Sequence, residues 1–580
     1  MFEFKYILKY LKYCKKDFII TFLLIVVETV FELIIPFLMK DIINVGIENQ
    51  DINQIINSGI LIIICAIISL ITGYFFSKFN AKYMTSFSYH LREDIFKKIQ
   101  EYSFSNLDKF QASSLVTRIT NDVTIMQHTL GTLRPLSRSP LMLGMGIGLS
   151  FAIAPQLAWI FLAFVPFLAV ILFLIVRKVA PQYTVLQENV DNVNNVVREN
   201  VVAIRTVKSY VRESYEEEKF NDANLKVMNT TKKTFRIAQL NQPSLQLVMY
   251  TVTVLLLSLG AIAVHNNEIL VGDLSAMLSY VLQVVNSLMM VSNVFLMVNR
   301  SFASSKRIYE VLNEKIDITS KDEAIEKISR GDIEFKNVSF KYNLESEEYV
   351  LNDINLEIKA GQSIGILGST GAAKSTLVSL ILRLYDVTAG EVLIDGINVK
   401  DYDLTVLRDN ISIVLQNNVL FSGTILENLK WGNPNATAEE IKKYCDIACA
   451  SEFIERLPNG LYYDLGQGGV NVSGGQKQRL CIARALLKEP KILIFDDSTS
   501  ACDMETERTI MQGIKSLTGM TSIIIGQRLT SVMQCNKIII LDEGKIVNIG
   551  THEELLEVSP IYKDLYRVQL GGEKHGNSSI

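Results

Sequence analysis

The chain has 580 residues, enough for more than one domain. Its 57 Lys and Arg against 61 Asp and Glu leave a net charge of −4, which gives no pull toward nucleic acid as a partner. Seven scattered cysteines, an odd number, argue against a disulfide framework and for a reduced compartment; Cys445 and Cys449, expected at i, i+4 on one helix face, lack the second pair that would make a metal site.

Residues 1–16 mix Lys with Tyr, Leu and Phe at helical spacing between Lys5 and Lys16, which predicts an interfacial helix lying on a membrane; a plain cytosolic flank is the simpler alternative. Six mostly apolar runs then approach the roughly 20 residues that a spanning helix needs. They cover residues 18–39, 56–76, 139–154, 157–176, 245–264 and 274–298. The first is too long for a signal-peptide core and no small-residue cleavage site follows it. The third is the least regular, with Arg134 and Arg138 at its start and frequent Gly.

Lys and Arg concentrate in the N-terminus and in the loops 77–130 and 177–243. They are absent from 41–54, from the Ala154-Pro155-Gln156 turn and from 265–273. The bias predicts a multi-pass protein of the cytoplasmic membrane with both termini and the two long loops on the cytoplasmic side. Those loops are too long for turns and too helix-prone for disorder, so helices extending below the bilayer are expected, with Ser113–Asp122 and Ser209–Glu216 as short polar segments within them.

Inside the first run, Glu28 and Glu32 lie one turn apart on one face. A carboxylate in a bilayer is costly. Either the two form a polar patch in a substrate pathway, or they sit near the outer leaflet or pair with a cation. The sixth run carries Met277, Met289, Met290 and Met297 with Asn286 and Asn293, material for an adaptable apolar surface or for plain packing.

From Gly331 the texture becomes alternating strand and helix, an α/β pattern. Strand-like runs cover 333–340 and 362–367. The second ends in Gly368-Ser369-Thr370-Gly371-Ala372-Ala373-Lys374-Ser375-Thr376 and an apolar helix. A strand, a small-residue loop, Lys-Ser and a helix make a phosphate-binding loop, with N–H groups cradling phosphate, Lys374 reaching the outer phosphates and Ser375 offering a hydroxyl to Mg²⁺. The strict pattern has Gly where Ala373 stands, yet nucleotide binding is expected to survive one methyl group. Further on, Val472-Ser473-Gly474-Gly475-Gln476-Lys477-Gln478-Arg479 reads as a loop entering a helix start with open N–H groups. Lys491-Ile492-Leu493-Ile494-Phe495-Asp496-Asp497 is an apolar strand ending in paired acids.

Together, and in this order, these segments resemble the Walker A, signature and Walker B motifs of ATP-binding cassette (ABC) proteins. The resemblance covers nearly the whole chain and fits an exporter-type half-transporter, in particular the degenerate-site subunit of bacterial heterodimeric exporters. It implies a six-helix transmembrane domain over 17–300, a linker over 301–330, an α/β P-loop nucleotide-binding domain over 331–570 and a tail over 571–580. It also implies roles. Tyr342 would stack on adenine, and Gln416 would be the glutamine that senses Mg²⁺. Ser473, Gly474, Gly475 and Gln476 would touch nucleotide, and Asp496 would ligate Mg²⁺. In Ser500-Ala501-Cys502-Asp503, Asp503 would belong to the D-loop. Ser113–Asp122 and Ser209–Glu216 would be coupling helices pressing on the nucleotide domains.

The departures fall at chemistry positions. The family places Glu after the Walker B Asp to orient the attacking water, and this chain has Asp497, its carboxylate drawn back by one methylene. A misplacement of ~1 Å can cost ~10²-fold in rate. The family's switch His is replaced by Gln527, which donates a hydrogen bond but does not titrate near neutrality. Gln467 and Gly468 stand where Glu and Arg are usual.

An intact signature beside weakened Walker motifs implies a heterodimer. This chain's pocket would hold ATP, while its signature completes the catalytic site of a second half-transporter bearing the Glu and the His. The activity implied is ATPase-coupled export of amphipathic drugs, lipids or peptides. A non-pumping, ATP-gated sensor or receptor, a slow homodimeric exporter and an importer are the alternatives. No peptidase segment precedes the first run, which argues against leader-peptide processing.

Overall fold

The computed structural model describes residues 2–497 and 503–570. The chain forms two compact units, Met1–Gln100 with Ala112–Glu314, and Glu101–Gln111 with Lys315–Ile580.

The first unit is all helical. The six apolar runs lie in the helices Lys15–Asp41, Ile52–Glu101, Leu133–Ile153, Pro155–Val202, Asn241–His265 and Val271–Leu312. In lipid every backbone polar group must be satisfied within the segment, which a helix achieves, so uninterrupted apolar sequence takes this form. Over the described residues, four helical stretches have the length and hydropathy to cross a membrane: Phe2–Ile47, Ile52–Glu101, Ala112–Ile153 and Glu213–His265. The runs 157–176 and 274–298 pass through side chains outside the description, Met289 and Asn293 among them. Ile52–Glu101 has 50 residues, about 75 Å at 1.5 Å each, more than twice a hydrocarbon core of about 30 Å. Its outward residues are bare apolar side chains such as Ile63 and Leu70, as lipid contact requires.

The third helix starts at Leu133, earlier than its apolar composition alone predicts, and carries Arg134 and Arg138 within it. Both are neutralised across the unit: Arg134 pairs with Glu28 and Arg138 with Glu32. The acidic pair is thus cation-paired, one of the possibilities the sequence left open. Because the partners are spaced i, i+4 on both helices, the pairs form two rungs. Arg134 also lies 5.3 Å from the Phe76 ring centroid. At the other end, Ala154 leaves helical geometry and Pro155 opens the next helix, where its missing N–H costs nothing.

The N-terminal segment is helical from Phe2, first α and then 3₁₀ up to Cys14. Ile7, Tyr10 and Cys14 form its buried face, and Tyr10 Oη donates to Asp94 at 2.8 Å.

Three boundaries differ from expectation. The last long helix continues to Leu312, so the linker expected from 301 begins inside a helix. The segment 113–122 stays in the first unit, where Arg307 Nε donates to Asp122 Oδ2 at 2.8 Å. Instead, Glu101–Gln111, about one helical segment earlier, belongs to the second unit. Finally, 209–216 is not one helical segment but the junction of two helices, with the exposed Val211 at φ +52° between Ile204–Ser209 and Glu213–Ala238.

The second unit holds two sheets. One is antiparallel, order β2-β1-β4-β5, from β1 (Ile333–Phe340), β2 (Leu351–Ile358), β4 (Ala389–Ile394) and β5 (Ile397–Asn398). The other has order β10-β9-β3-β8-β7-β6. Its strands are β3 (Ser363–Leu367), β6 (Ile411–Val414), β7 (Ile492–Asp496), β8 (Thr521–Ile525), β9 (Lys537–Asp542) and β10 (Lys545–Gly550). All neighbours are parallel except β9 and β10. Strands covered on both faces read as unbroken apolar runs, which is why Ile492–Phe495 and Ile523–Ile525 lack alternation and are wholly buried. The linker is fastened just before β1, where Asp395 accepts the N–H groups of Ser329, Arg330, Gly331 and Asp332.

Candidate functional site

In a parallel sheet, polar loops collect at the carboxyl ends of the strands, and that edge is where a ligand finds unpaired backbone groups. The adjacent strands β3, β8, β7 and β6 end, respectively, in the loop 368–373, in Gln527, in Asp496-Asp497 and in Gln416. Four segments far apart in sequence thus meet at one edge.

The loop after β3 is shaped by two positions. A Cβ on Gly368 would come within 2.1 Å of the Leu541 carbonyl oxygen, so only glycine fits there. Ala373 sits at φ +67°, ψ +25°, a left-handed conformation that costs an alanine about 1–2 kcal/mol. This is the physical reason the pattern has glycine there, and Ala373 adopts the conformation nonetheless.

The helix Lys374–Ile381 starts immediately after. Lys374 Nζ donates to the carbonyls of Gly368 and Ser369 at 2.9 and 2.8 Å. Burial pushes its ammonium below the ordinary lysine range, opposed by the charges of Asp497 and Asp496. Ser375 Oγ donates to Asp496 Oδ1 at 2.8 Å. Burial also raises Asp496, countered by Ser375 and Lys374 and reinforced by the Asp497 charge. Cation and carboxylates are thus both desolvated at this edge, an arrangement relieved by a ligand that brings phosphate and a divalent ion together. The Ser375 hydroxyl and Asp496 carboxylate are the hard oxygen donors that Mg²⁺ takes, so the residues fit that ion.

Asp497 stands at φ +47° with its N–H on the Ile525 carbonyl at 3.0 Å. Its Oδ2 accepts from Gln527 Nε2 at 2.9 Å and from Gln416 Nε2 at 3.4 Å. Burial raises its pKa, against the Lys374 charge and the Gln527 hydrogen bond.

Tyr342 packs edge-on to Phe340 and Tyr385, and its hydroxyl lies 2.9 Å from Thr376 Oγ1, so the ring stands beside the phosphate loop with half its surface open. Tyr385 also donates to Asp108 Oδ2 at 2.7 Å and meets the Phe104 ring edge-on at 6.1 Å. The helix Phe104–Lys109 is therefore linked through Tyr385 to the ring beside the pocket. Sequence reading missed both: the helix is short and polar, and Tyr385 lies outside every motif.

Ser473 N-caps the helix Gly474–Leu486 through a complete capping box. Its Oγ accepts from Gln476 N at 3.3 Å, and its N–H donates to Gln476 Oε1 at 2.9 Å. These bonds close on the helix's own start, and a Cβ on Gly474 would meet open space, so the turn faces outward. The preceding Gly468 has φ +65° and its carbonyl accepts from Lys477 Nζ at 2.8 Å.

Asp503 N-caps the helix Met504–Lys515 by accepting from Thr506 N at 2.9 Å. The Ser500-Ala501-Cys502 part of the expected D-loop lies outside the described residues, as does the tail 571–580. Cys445 and Cys449 do not share a helix face: the helix Ala438–Ile447 ends between them, and Cys449 sits beyond it at φ +53°. Burial pushes the Cys445 thiol up to about 12.

Comparison with known proteins places two family descriptions on the chain, an ABC transporter transmembrane region over residues 18–288 and an ABC transporter domain over 351–500. The uncharacterized ABC transporter ATP-binding protein YfiB of Bacillus subtilis is 38% identical over 555 residues, 96% of each chain. An ATP-dependent lipid A-core flippase of Desulfotalea psychrophila is 33% identical over 481 residues, 82% of this chain and 84% of the flippase. The structure of a bacterial Atm1-family ABC exporter with ATP bound superimposes with a TM-score of 0.82 at 23% identity, covering 96% of this chain and 99% of the other.

Proposed function

The chain belongs to the ABC transporter family, as a membrane-embedded, exporter-type half-transporter that couples ATP hydrolysis to transport, and we propose that it is the ATP-holding subunit of an asymmetric pair. In this reading its own Walker residues bind ATP and release it slowly, while Ser473, Gly474, Gly475 and Gln476 complete the hydrolytic site of a partner half-transporter that carries Glu and His at the positions of Asp497 and Gln527.

The observation that carries this reading is the state of Asp497. Hydrolysis needs a group within hydrogen-bond reach of the attacking water. Here the carboxylate is one methylene short, and its Oδ2 accepts from the amides of Gln527 and Gln416 at 2.9 and 3.4 Å. The signature turn, by contrast, keeps its cap and its outward face. A pocket built this way binds far better than it cleaves, and retained ATP keeps two cassettes in contact while the second site cycles.

Within the pocket, the N–H groups of 369–375 and the start of the Lys374–Ile381 helix hold the phosphates. Lys374 leaves the Gly368 and Ser369 carbonyls for phosphate oxygens, and Tyr342 receives the base. Ser375, Asp496 and Gln416 would hold Mg²⁺, which would offset phosphate charge. Asp503 would belong to the D-loop that meets the partner. The transported class we infer is amphipathic, such as lipids or drugs, moved outward across the cytoplasmic membrane with both termini inside. The names of relatives support it, one a lipid A-core flippase and another a putative multidrug export protein of Bacillus subtilis.

The test is ATP turnover by the purified chain, alone and with the protein encoded beside it, in the same nanodiscs. Negligible turnover alone with strong turnover together is expected. Fast turnover by the chain alone would return Asp497 to the role of hydrolytic carboxylate and leave a homodimeric exporter.

A further inference from the structure

The pocket as described leaves one contact unused. The helix Pro560–Gln569 begins on a Ser559 cap and is seated by the fully buried Tyr562. Its last residue, Gln569, is exposed and lies far from every motif in sequence. Yet Gln569 Oε1 accepts from Leu529 N at 2.7 Å, and Gln569 Nε2 donates to the Gln527 carbonyl at 2.9 Å. One side-chain amide thus bridges the backbone on both sides of Arg528. Leu529 is itself wholly buried, so the bridge ties the loop after β8 to a fixed point. Gln527 is then held at both ends, its carbonyl on Gln569 and its side-chain Nε2 on Asp497 at 2.9 Å.

A side chain pinned at its backbone has fewer orientations to choose from, and a hydrogen bond made from a fixed platform loses less entropy than one made from a free loop. We propose that Gln569 is a positioning residue for the nucleotide pocket: by bracing the Gln527 loop, it fixes where the Gln527 amide points and so how firmly Asp497 and the terminal phosphate of ATP are held. The proposal rests on the ATP-holding reading above and adds to it a control point on the carboxyl-terminal helix. Because Gln569 is exposed and, among the described residues, its amide hydrogen-bonds to this loop, its replacement is expected to leave the cores of the cassette intact. A merely structural role would move stability and not nucleotide release.

The test is a double-mutant cycle on the full chain in nanodiscs, reading the retention of radiolabelled ATP after dilution and the kcat of its turnover, with thermal stability alongside. Gln569→Leu is expected to shorten retention by about two- to tenfold, the size of one or two loop hydrogen bonds. Gln527→Ala should do the same, and the double variant should be no worse than Gln527→Ala, since Gln569 acts only through Gln527. Gln569→Glu keeps the acceptor for Leu529 N–H and loses the donor to Gln527, so it falls between, and it carries the test should the leucine variant not fold. Unchanged retention in both Gln569 variants, or effects that multiply with Gln527→Ala, would overturn the brace. If the wild-type chain turns ATP over quickly, the ATP-holding reading fails. The brace is then judged on kcat by the same cycle, where non-additivity upholds it and additivity ends it.

Discussion

Gln527 Nε2 donates to Asp497 Oδ2 at 2.9 Å, joining the ends of β8 and β7 at the edge where Lys374 and Asp496 lie. On the proposed reading, the short Asp497 carboxylate, hydrogen-bonded through Oδ2 to an amide that does not ionise, is poorly placed to orient water. Lengthening the carboxylate by Asp497→Glu leaves the amide in place, and Gln527→His leaves the carboxylate short. We expect each single change to recover little hydrolysis and the two together to raise it by at least about tenfold, within the range general-base positioning supplies. Phosphate release by the chain purified alone measures it; a single variant matching the double would show that the pair does not act as a unit.

Ala373 holds a left-handed backbone that glycine holds at no steric cost. Relief of that strain outweighs the extra unfolded-state entropy of glycine, so Ala373→Gly should stabilise the chain by about 0.5–1 kcal/mol. The expected rise in melting temperature is about 1–4 °C, with ATP affinity retained or improved. Calorimetry and a nucleotide titration settle the sign; a lowered melting temperature would mean that the methyl packs usefully against its neighbours.

The raised carboxyls give a pH signature. Burial holds Asp496 above the ordinary range, and Asp497 with it. A carboxyl raised by folding favours the fold while protonated and loses that advantage as pH climbs through the raised value. On the proposed reading Mg²⁺ would bind the deprotonated oxygen, so its contribution would run the other way. The extra thermal stability conferred by Mg-ATP over ATP with chelator should therefore shrink as pH falls, starting above about pH 4, where an ordinary Asp titrates. It should be absent in Asp496→Asn. A Mg²⁺ increment that persists unchanged down to about pH 4 contradicts the assignment.

In the helical unit, Glu28 keeps only 7% of its side-chain surface exposed while paired with Arg134. Removing one partner strands the other charge. Glu28→Gln alone should cost up to about 3 kcal/mol, and Glu28→Gln with Arg134→Gln should cost less than either single change. Unfolding in nanodiscs compares the three. Equal losses from singles and double would show that the rung contributes no coupling.

Much of this was legible in the chain. Period and length located the helices, because a bilayer admits little but continuous apolar helix. The phosphate loop, the paired acids and the capped signature turn were readable because each is local: its residues are neighbours in sequence and its geometry follows from backbone conformation. Ala373 and Asp497 were visible as departures for the same reason.

What only the tertiary structure decided is which distant residues meet. Sequence left Glu28 and Glu32 between a pathway and a pairing, and the packing of the 133–153 helix beside them supplied Arg134 and Arg138. It put the coupling segments at 113–122 and 209–216; the fold groups 101–111 with the cassette unit, where Asp108 meets Tyr385. Nothing along the chain marks Tyr385 or Gln569, since a single tyrosine or glutamine has no pattern. Their roles arise when a parallel sheet brings the ends of β3, β8, β7 and β6 side by side and the end of a later helix reaches the loop after β8, making neighbours of residues that the chain holds far apart.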